Sequence, residues 1–397
     1  MTPRRWTERR ARPWSWLCGR AVTPLTGEAR NGVHALPTIS REQAQALQGS
    51  CCALRHCQSL RGSHPAYVIA SIAFRNFKAL RNTRVALTPF NLVIGPNGSG
   101  KTSLIEAMQR LRTLSKLPLR AREGGQQKAG GPEIDFGFSA PHEGSVVRMG
   151  CVSEVACDTL WVEPPGAPDW PLLREKLATI RAYALDHEAM SGTSKREGGA
   201  ELQSNGANLA AVLARLRARA PAAFSALTEE VLRIMPEFRS VEVIEHADDR
   251  VEFGLRLVED SVVPATELSQ GMLYLVGVLA LAFDPDPPHV LCIEDVDRGI
   301  HPRTLREIQD ALYRLSYPKS FGSERRAVQI ITTSHSPYFI DLFRDHPEEI
   351  MISHKHGRAA QFSRLTDRLD LPELLREGSL GDMWFSGILG GVPEENT

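Results

Sequence analysis

Apolar positions follow two rhythms, one of period two and one of period three to four, which alternate from Val68 onward. VIASIAFRNF alternates and then turns, and Phe90-Asn-Leu-Val-Ile94 is a short apolar run that stops at a glycine-rich turn, so both predict strands. From Lys101 to Ser115, Leu104, Ile105, Met108 and Leu111 recur on one helical face. The segment from Leu119 to Pro132 is poor in apolar residues and reads as a loop. Short alternating stretches at Glu133–Ser139, Ser145–Val152 and Glu154–Glu163 then predict a small antiparallel sheet. Between Pro171 and Pro236 the pattern reads as helical, with Leu209, Val212, Leu213 and Leu216 on one face and a second helix over Ala222–Ile234. A hairpin of Val241–His246 and Arg250–Glu259 precedes Ser269 and a long buried helix. Strands and helices alternate thereafter: Val290–Ile293, Pro302–Leu315, Val328–Thr332, Pro337–Phe343 and Glu349–Ile352. Continuously apolar strands between helices predict a parallel α/β sheet covered on both faces.

Composition narrows the class. With 397 residues the chain is long enough for two or three domains, and 42% hydrophobic with 24% charged residues is an ordinary globular balance. Its 47 basic and 47 acidic side chains cancel, which excludes a strongly basic nucleic-acid binder or an acidic tail as a description of the whole chain. The balance is uneven, because residues 1–67 hold ten Arg, no Lys and three Glu, together with four of the seven Cys and three of the six Trp. They show no sustained periodicity, so we expect them to lie outside the fold, as a mis-assigned upstream start with Val68 as the first residue, or otherwise as a disordered basic arm or transit segment.

The longest uncharged apolar stretch, Met272 to Phe283, is too short for a membrane span, and no secretory signal is expected. Cys151, Cys157 and Cys292 are too few and scattered for a disulfide framework, which points to a reducing cytoplasm. Cys51, Cys52, His56 and Cys57 match no zinc-site spacing.

The chemistry begins at Gly95-Pro-Asn-Gly-Ser-Gly-Lys101-Thr102, which satisfies G-x-x-x-x-G-K-[ST] between a strand and a helix. Glycines let the backbone wrap phosphate oxygens, loop N–H groups and the helix start supply positive potential, Lys101 reaches the β and γ phosphates, and Thr102 can ligate Mg²⁺. Far downstream, the apolar strand Val290–Ile293 delivers Glu294 and Asp295 at its C-terminal end, where open α/β sheets bind ligands. One carboxylate suits Mg²⁺, the other an attacking water. Ser269-Gln-Gly271 opens the buried helix with a favoured N-cap and a glycine that admits close approach to an anion, and His335 ends the strand before Ser336-Pro337.

GPNGSGKTS, LSQG, the paired acids and TTSHS occur in the order of ABC-type ATPase heads, and SIAFRNFKAL, IEDVDRGIHPR and HSPYFID resemble the SMC/RecF-like AAA family ATPases. The likeness runs from Val68 to Pro393. It implies a P-loop NTPase fold with a mixed or parallel sheet, a small antiparallel β subdomain and a short helical lid. The expected division is 68–170 for an N-terminal lobe, 171–247 for the lid and 248–397 for a C-terminal lobe. The resemblance further implies ATP and Mg²⁺ as ligands. The loop would be contacted through Gly95, Asn97, Gly98, Ser99, Gly100, Lys101, Thr102 and Ser103, with Arg75, Asn76 and Phe77 approaching the nucleotide. Thr102 and Glu294 would hold the metal, Asp295 would be the base and His335 the γ-phosphate sensor. Ser269 and Gly271 would serve the nucleotide of a second copy in an ATP-dependent head-to-tail homodimer.

Departures are also visible. Asp295 is one methylene shorter than the glutamate of transporter-like heads, which implies slow or regulated hydrolysis. The glutamine loop has only Gln126 and Gln127 as candidates, and no long heptad arm is present. Asp135-Phe-Gly137 lacks the context of a kinase triplet, and His354 and His356 read as a solvated hairpin. Arg215, Arg217 and Arg219 form a basic helix face that could meet DNA phosphates. The expected role is an ATPase acting on or near DNA, in repair, recombination or defence against foreign DNA, with a separately encoded effector as a further partner and no membrane association. The alternatives are an ATP-driven switch that gates a partner protein, and an ABC transport subunit.

Overall fold

The computed structural model describes residues 67–117, 131–197, 201–357 and 359–390. The expectations for residues 1–66, the zinc reading of Cys51, Cys52, His56 and Cys57, and the glutamine-loop candidates Gln126 and Gln127 lie outside the described residues. Three sheets organise the rest. The central one has the order β15-β14-β3-β13-β12-β7, formed by β3 (Phe90–Ile94), β7 (Arg181–Tyr183), β12 (Val290–Ile293), β13 (Gln329–Thr333), β14 (Ile350–His356) and β15 (Ala359–Arg364). Five of these run parallel, and only β15 is antiparallel, closing a hairpin with β14.

Because side chains alternate across a pleated strand, the apolar runs feed two cores at once. Leu92, Ile94, Leu291, Ile293 and Ile330 pack with the buried helix Gln270–Ala282 and the helix Leu305–Ser316. Val93, Cys292, Ile331 and Met351 face the other way, onto the helix Lys101–Lys116 and a five-stranded antiparallel sheet. That sheet has the order β2-β1-β4-β5-β6, from β1 (Ile69–Phe77), β2 (Leu80–Ala86), β4 (Glu133–Phe138), β5 (Val146–Ser153) and β6 (Ala156–Glu163).

Buried Gln329 stitches the two sheets together. Its Oε1 accepts from the Ile69 N–H at 2.9 Å and its Nε2 donates to the Ile69 carbonyl at 2.7 Å, so a polar side chain inside the core is satisfied by backbone it brings into place.

A third sheet, β8 (Ser194–Lys195), β9 (Phe238–Glu245), β10 (Arg250–Leu257) and β11 (Val262–Pro264), packs with the helices Leu209–Arg219 and Pro221–Ile234. The expectation of helix throughout 171–236 is corrected here. Helices occupy Trp170–Ala178, His187–Ser191 and the two later segments, but Arg181–Tyr183 is an edge strand parallel to β12. Three residues are too few to carry a period, and pairing with a strand more than a hundred positions away decides their conformation.

A second correction concerns Cys151 and Cys157. They face one another in the β5–β6 register and are joined by a disulfide, while Cys292 is a buried free thiol. Spacing alone could not reveal the hairpin that opposes the two cysteines.

Candidate functional site

The glycine-rich loop leaves β3 where the strand is wholly buried, and the next helix begins at Lys101. Gly100 holds its N-terminal position with φ of 95°, and a Cβ there would stand 2.8 Å from Leu80 Cδ2, so two independent constraints require glycine. Asn97 and Gly98 are exposed at the loop's crest, whereas Ser99 and Ser103 are buried beneath it. Lys101 folds back over the loop, and its Nζ donates to the carbonyls of Gly95 at 2.7 Å and Pro96 at 3.0 Å. Burial lowers its pKa, and the charges of Asp295 and Glu294 oppose that shift. An ammonium held by carbonyls at the rim of such a loop is placed to exchange them for phosphate oxygens.

The two acids arrive from β12, which lies one strand beyond β3's neighbour β13, and all three strands point their C-terminal ends the same way. Glu294 is half-buried, its pKa is raised first by burial, and the Thr102 hydroxyl that hydrogen-bonds to it counters the rise. Glu294 Oε1 is buried with no hydrogen-bond partner. A buried carboxylate oxygen without a proton donor, beside a threonine hydroxyl, is the donor set expected of a Mg²⁺ site, so the residues present fit that ion.

Asp295 is exposed and turns left-handed, with φ of 46°, which ends the strand. His335 is exposed at the end of β13, and its pKa is lowered by partial burial and by Lys101 while Asp295 and Asp297 oppose the shift. Lys101, Glu294, Asp295 and His335 therefore share one electrostatic neighbourhood. Among the described residues no cluster of three or more His, Cys, Asp or Glu side chains forms a separate metal site.

The other candidates have surroundings of their own. Phe77 is fully buried against Phe74 and beneath the Arg110 guanidinium, and its strand partner Leu80 is the residue that closes on Gly100 of the loop. Asn76 is exposed with φ of 53°, and Arg75 is held by Glu133 at 2.7 Å and Asp135 at 2.6 Å across the antiparallel sheet. Those pairs also account for Asp135 of the kinase-like triplet.

Ser269 caps the buried helix by accepting from the Met272 N–H at 3.4 Å. Gly271 is closely packed, and its ideal Cβ would stand 2.6 Å from the Gly299 carbonyl oxygen. The close approach is made by the chain's own loop after the acids. Ser269 and Gly271 border a cleft of about 260 Å³ with Met235, Glu237, Met272 and His301.

The basic helix face is altered by pairing. Arg215 meets buried Asp284 at 3.1 Å and Arg217 meets Glu245 at 2.7 Å, while Arg219 is exposed. His354 hydrogen-bonds Ser363 at 3.0 Å across the β14–β15 hairpin.

Residues that carry no motif also shape the loop. Ser353 on β14 donates to the Ser99 carbonyl at 2.7 Å, and Lys355 Nζ comes within 3.8 Å of the point where a Cβ on Gly98 would project. Only the parallel pairing of β14 with β3 brings them there, so no signal in the local sequence marks them. No described helix is long and apolar enough to cross a membrane.

Comparison with known proteins agrees with this geometry. The family model described as "AAA domain, putative AbiEii toxin, Type IV TA system" matches residues 90–341, well over half of the chain. No curated protein matches the sequence. Among solved structures the chain is similar to the SmcHead bound to the C-winged helix domain of ScpA, at 15% identity and a TM-score of 0.53, covering 75% of this chain and 97% of that one. It is also similar to the Smc head domain with an extended coiled coil bound to the C-terminal domain of ScpA from Pyrococcus furiosus, at 14% identity and a TM-score of 0.50, covering 79% of this chain and 100% of the other. The fold is that of an SMC-type ATPase head.

Proposed function

Since the chain belongs to the AAA-domain family that matches residues 90–341, we propose that it is an ATP-hydrolysing head in which the loop Gly95–Thr102, the acids that follow β12 and His335 just beyond β13 form one nucleotide site. The observation that carries this reading is the convergence of Lys101, Glu294, Asp295 and His335 at the C-terminal ends of β3, β12 and β13.

In this reading Lys101 leaves the carbonyls of Gly95 and Pro96 to bind phosphate oxygens, and the N–H groups of the loop and helix start complete the cradle. Thr102 and Glu294 would hold Mg²⁺, which supplies neutralisation of phosphate charge when bound. Asp295 orients the attacking water and takes up its proton, and His335 registers the γ-phosphate. Segments 68–170 and 248–397 act as lobes and 171–247 as a lid, apart from the Arg181–Tyr183 strand that joins the central sheet. Ser269 and Gly271 face the nucleotide of a second copy, so that the chain pairs on ATP, and the head works on or near DNA, in repair, recombination or defence.

A second reading, an ATP-driven switch that gates a separately encoded partner protein, is favoured by one observation. Arg215 and Arg217, the arginines offered for DNA phosphates, are engaged by Asp284 and Glu245. Both solved heads named above carry a bound protein domain, by the words of their descriptions.

Steady-state phosphate release by the purified chain, with and without duplex DNA and with Lys101→Ala as control, separates the readings. Turnover stimulated by DNA and lost in the control supports the DNA-directed head. Turnover indifferent to DNA supports the partner switch, and wild type matching the control refutes the enzyme.

A further inference from the structure

We propose that Thr333 is the positioning residue for the Asp295 carboxylate, compensating for the shorter side chain of an aspartate at that place. The inference rests on the reading of Asp295 as the base. Thr333 is the last residue of β13, is buried, and stands two residues before His335. Its Oγ1 accepts the Asp295 backbone N–H at 2.9 Å and donates to Asp295 Oδ1 at 3.2 Å. A hydroxyl has one proton and two acceptor positions, so both bonds form together, using the proton and one acceptor position on one residue. The Thr333 carbonyl also accepts the Val296 N–H at 3.1 Å. Asp295 is thus held on its amide, its carboxylate and the following peptide by a single residue of the neighbouring strand.

The backbone makes this pinch productive. With φ of 46°, Asp295 leaves the line of β12 just after Ile293 pairs with Thr332. A carboxylate on a short stem at an exposed turn would otherwise sample several rotamers, and holding one oxygen removes most of them. The second oxygen is left to address a water. Thr332 provides an internal contrast, because its Oγ1 donates at 3.0 Å to the Ile293 carbonyl, a backbone acceptor. Two adjacent threonines therefore treat the neighbouring segment differently: Thr332 bonds to the backbone of Ile293 alone, and Thr333 to both the backbone and the carboxylate of Asp295.

The test compares Thr333→Val, Thr333→Ser, Thr332→Val and Asp295→Asn in the full-length protein. The readouts are kcat and KM for ATP hydrolysis, equilibrium ATP binding and thermal unfolding. Thr333→Val is expected to lower kcat by about 10- to 100-fold while leaving KM and ATP binding within about 2-fold, because a misplaced base loses rate and not affinity. Thr333→Ser, which keeps the hydroxyl, is expected to stay within about 3-fold of wild type in kcat. Thr332→Val is expected to lower the unfolding temperature but to leave kcat within about 2-fold.

Equal losses of kcat in Thr333→Val and Thr332→Val would overturn the inference in favour of general strand stability, as would a Thr333→Val enzyme with wild-type kcat. If Asp295→Asn hydrolyses ATP as fast as wild type, the base assignment fails and the positioning role falls with it. If Asp295→Asn is inactive while Thr333→Val is not, only the positioning role fails. Wild-type turnover no higher than that of Lys101→Ala overturns both.

Discussion

Replacing Glu349 by Gln should make the protein more stable, and increasingly so as pH rises. Glu349 precedes β14, the strand that flanks the phosphate-loop strand, and only 4% of it is exposed. Tyr313 and Tyr317 donate to its two oxygens at 2.6 and 2.5 Å, and these bonds together with nearby His346 hold its pKa down, but burial outweighs them and pushes it up to about 7 from 4.5. Between those two values the folded chain keeps a proton that the unfolded chain has lost. Stability therefore falls with rising pH, by up to about 1.4 kcal/mol per unit for this one group. Below the lower value both states are protonated and no penalty exists. Above the upper one the penalty is complete at about 3 kcal/mol.

Glutamine keeps an acceptor oxygen for one tyrosine and offers N–H donors to the other, whose hydroxyl can turn to accept. Urea unfolding of both proteins at a series of pH values from about 5 to about 8 should show the difference in unfolding free energy growing by about 2 to 3 kcal/mol in favour of Glu349→Gln. A difference independent of pH would refute the reasoning, since it would mean that Glu349 does not change its protonation in this window.

Three further outcomes follow from single contacts. Gly271→Ala should lose about 1–3 kcal/mol of stability despite the better helix propensity of alanine, because its Cβ would stand 2.6 Å from the Gly299 carbonyl; Gly144→Ala, with nothing near its Cβ, should be close to neutral in the same thermal melts. Phe77→Ala should cost about 3–5 kcal/mol in urea unfolding, as expected of a fully buried ring, and ATP binding by the folded fraction should stay near wild type. Arg215→Ala should destabilise by about 1–3 kcal/mol because, among the described residues, buried Asp284 then keeps Arg181 alone as an ion-pair partner, and fluorescence anisotropy should show no accompanying loss of DNA affinity.

The elements most legible in the sequence were those whose cause is local. The phosphate loop is strand, turn and helix within one contiguous stretch, and the glycines, Lys101 and Thr102 need only their neighbours to be recognised. Helical faces such as Leu209, Val212, Leu213 and Leu216 declare themselves by spacing, and all four are buried in the structure. Where the cause is distant, reading failed. Arg181–Tyr183 is a strand because β12 lies beside it, Cys151 meets Cys157 because a hairpin opposes them, and Arg215 is paired because Asp284 ends up buried within reach.

The candidate site divides along the same line. Sequence order and residue type determined which groups could serve a nucleotide: a flexible phosphate cradle, a lysine, two adjacent acids and a histidine, each at the end of an apolar run. Tertiary structure decided that they meet, because the parallel order β3-β13-β12 sets side by side the strand ends at Ile94, Thr333 and Ile293. It also recruited Ser353 to Ser99 and Thr333 to Asp295, and it placed Phe77 in the core. Propensity and periodicity act over a few residues along the chain. The pairing of strands and the burial that favours it act across the sheet, between residues that the chain itself does not bring near.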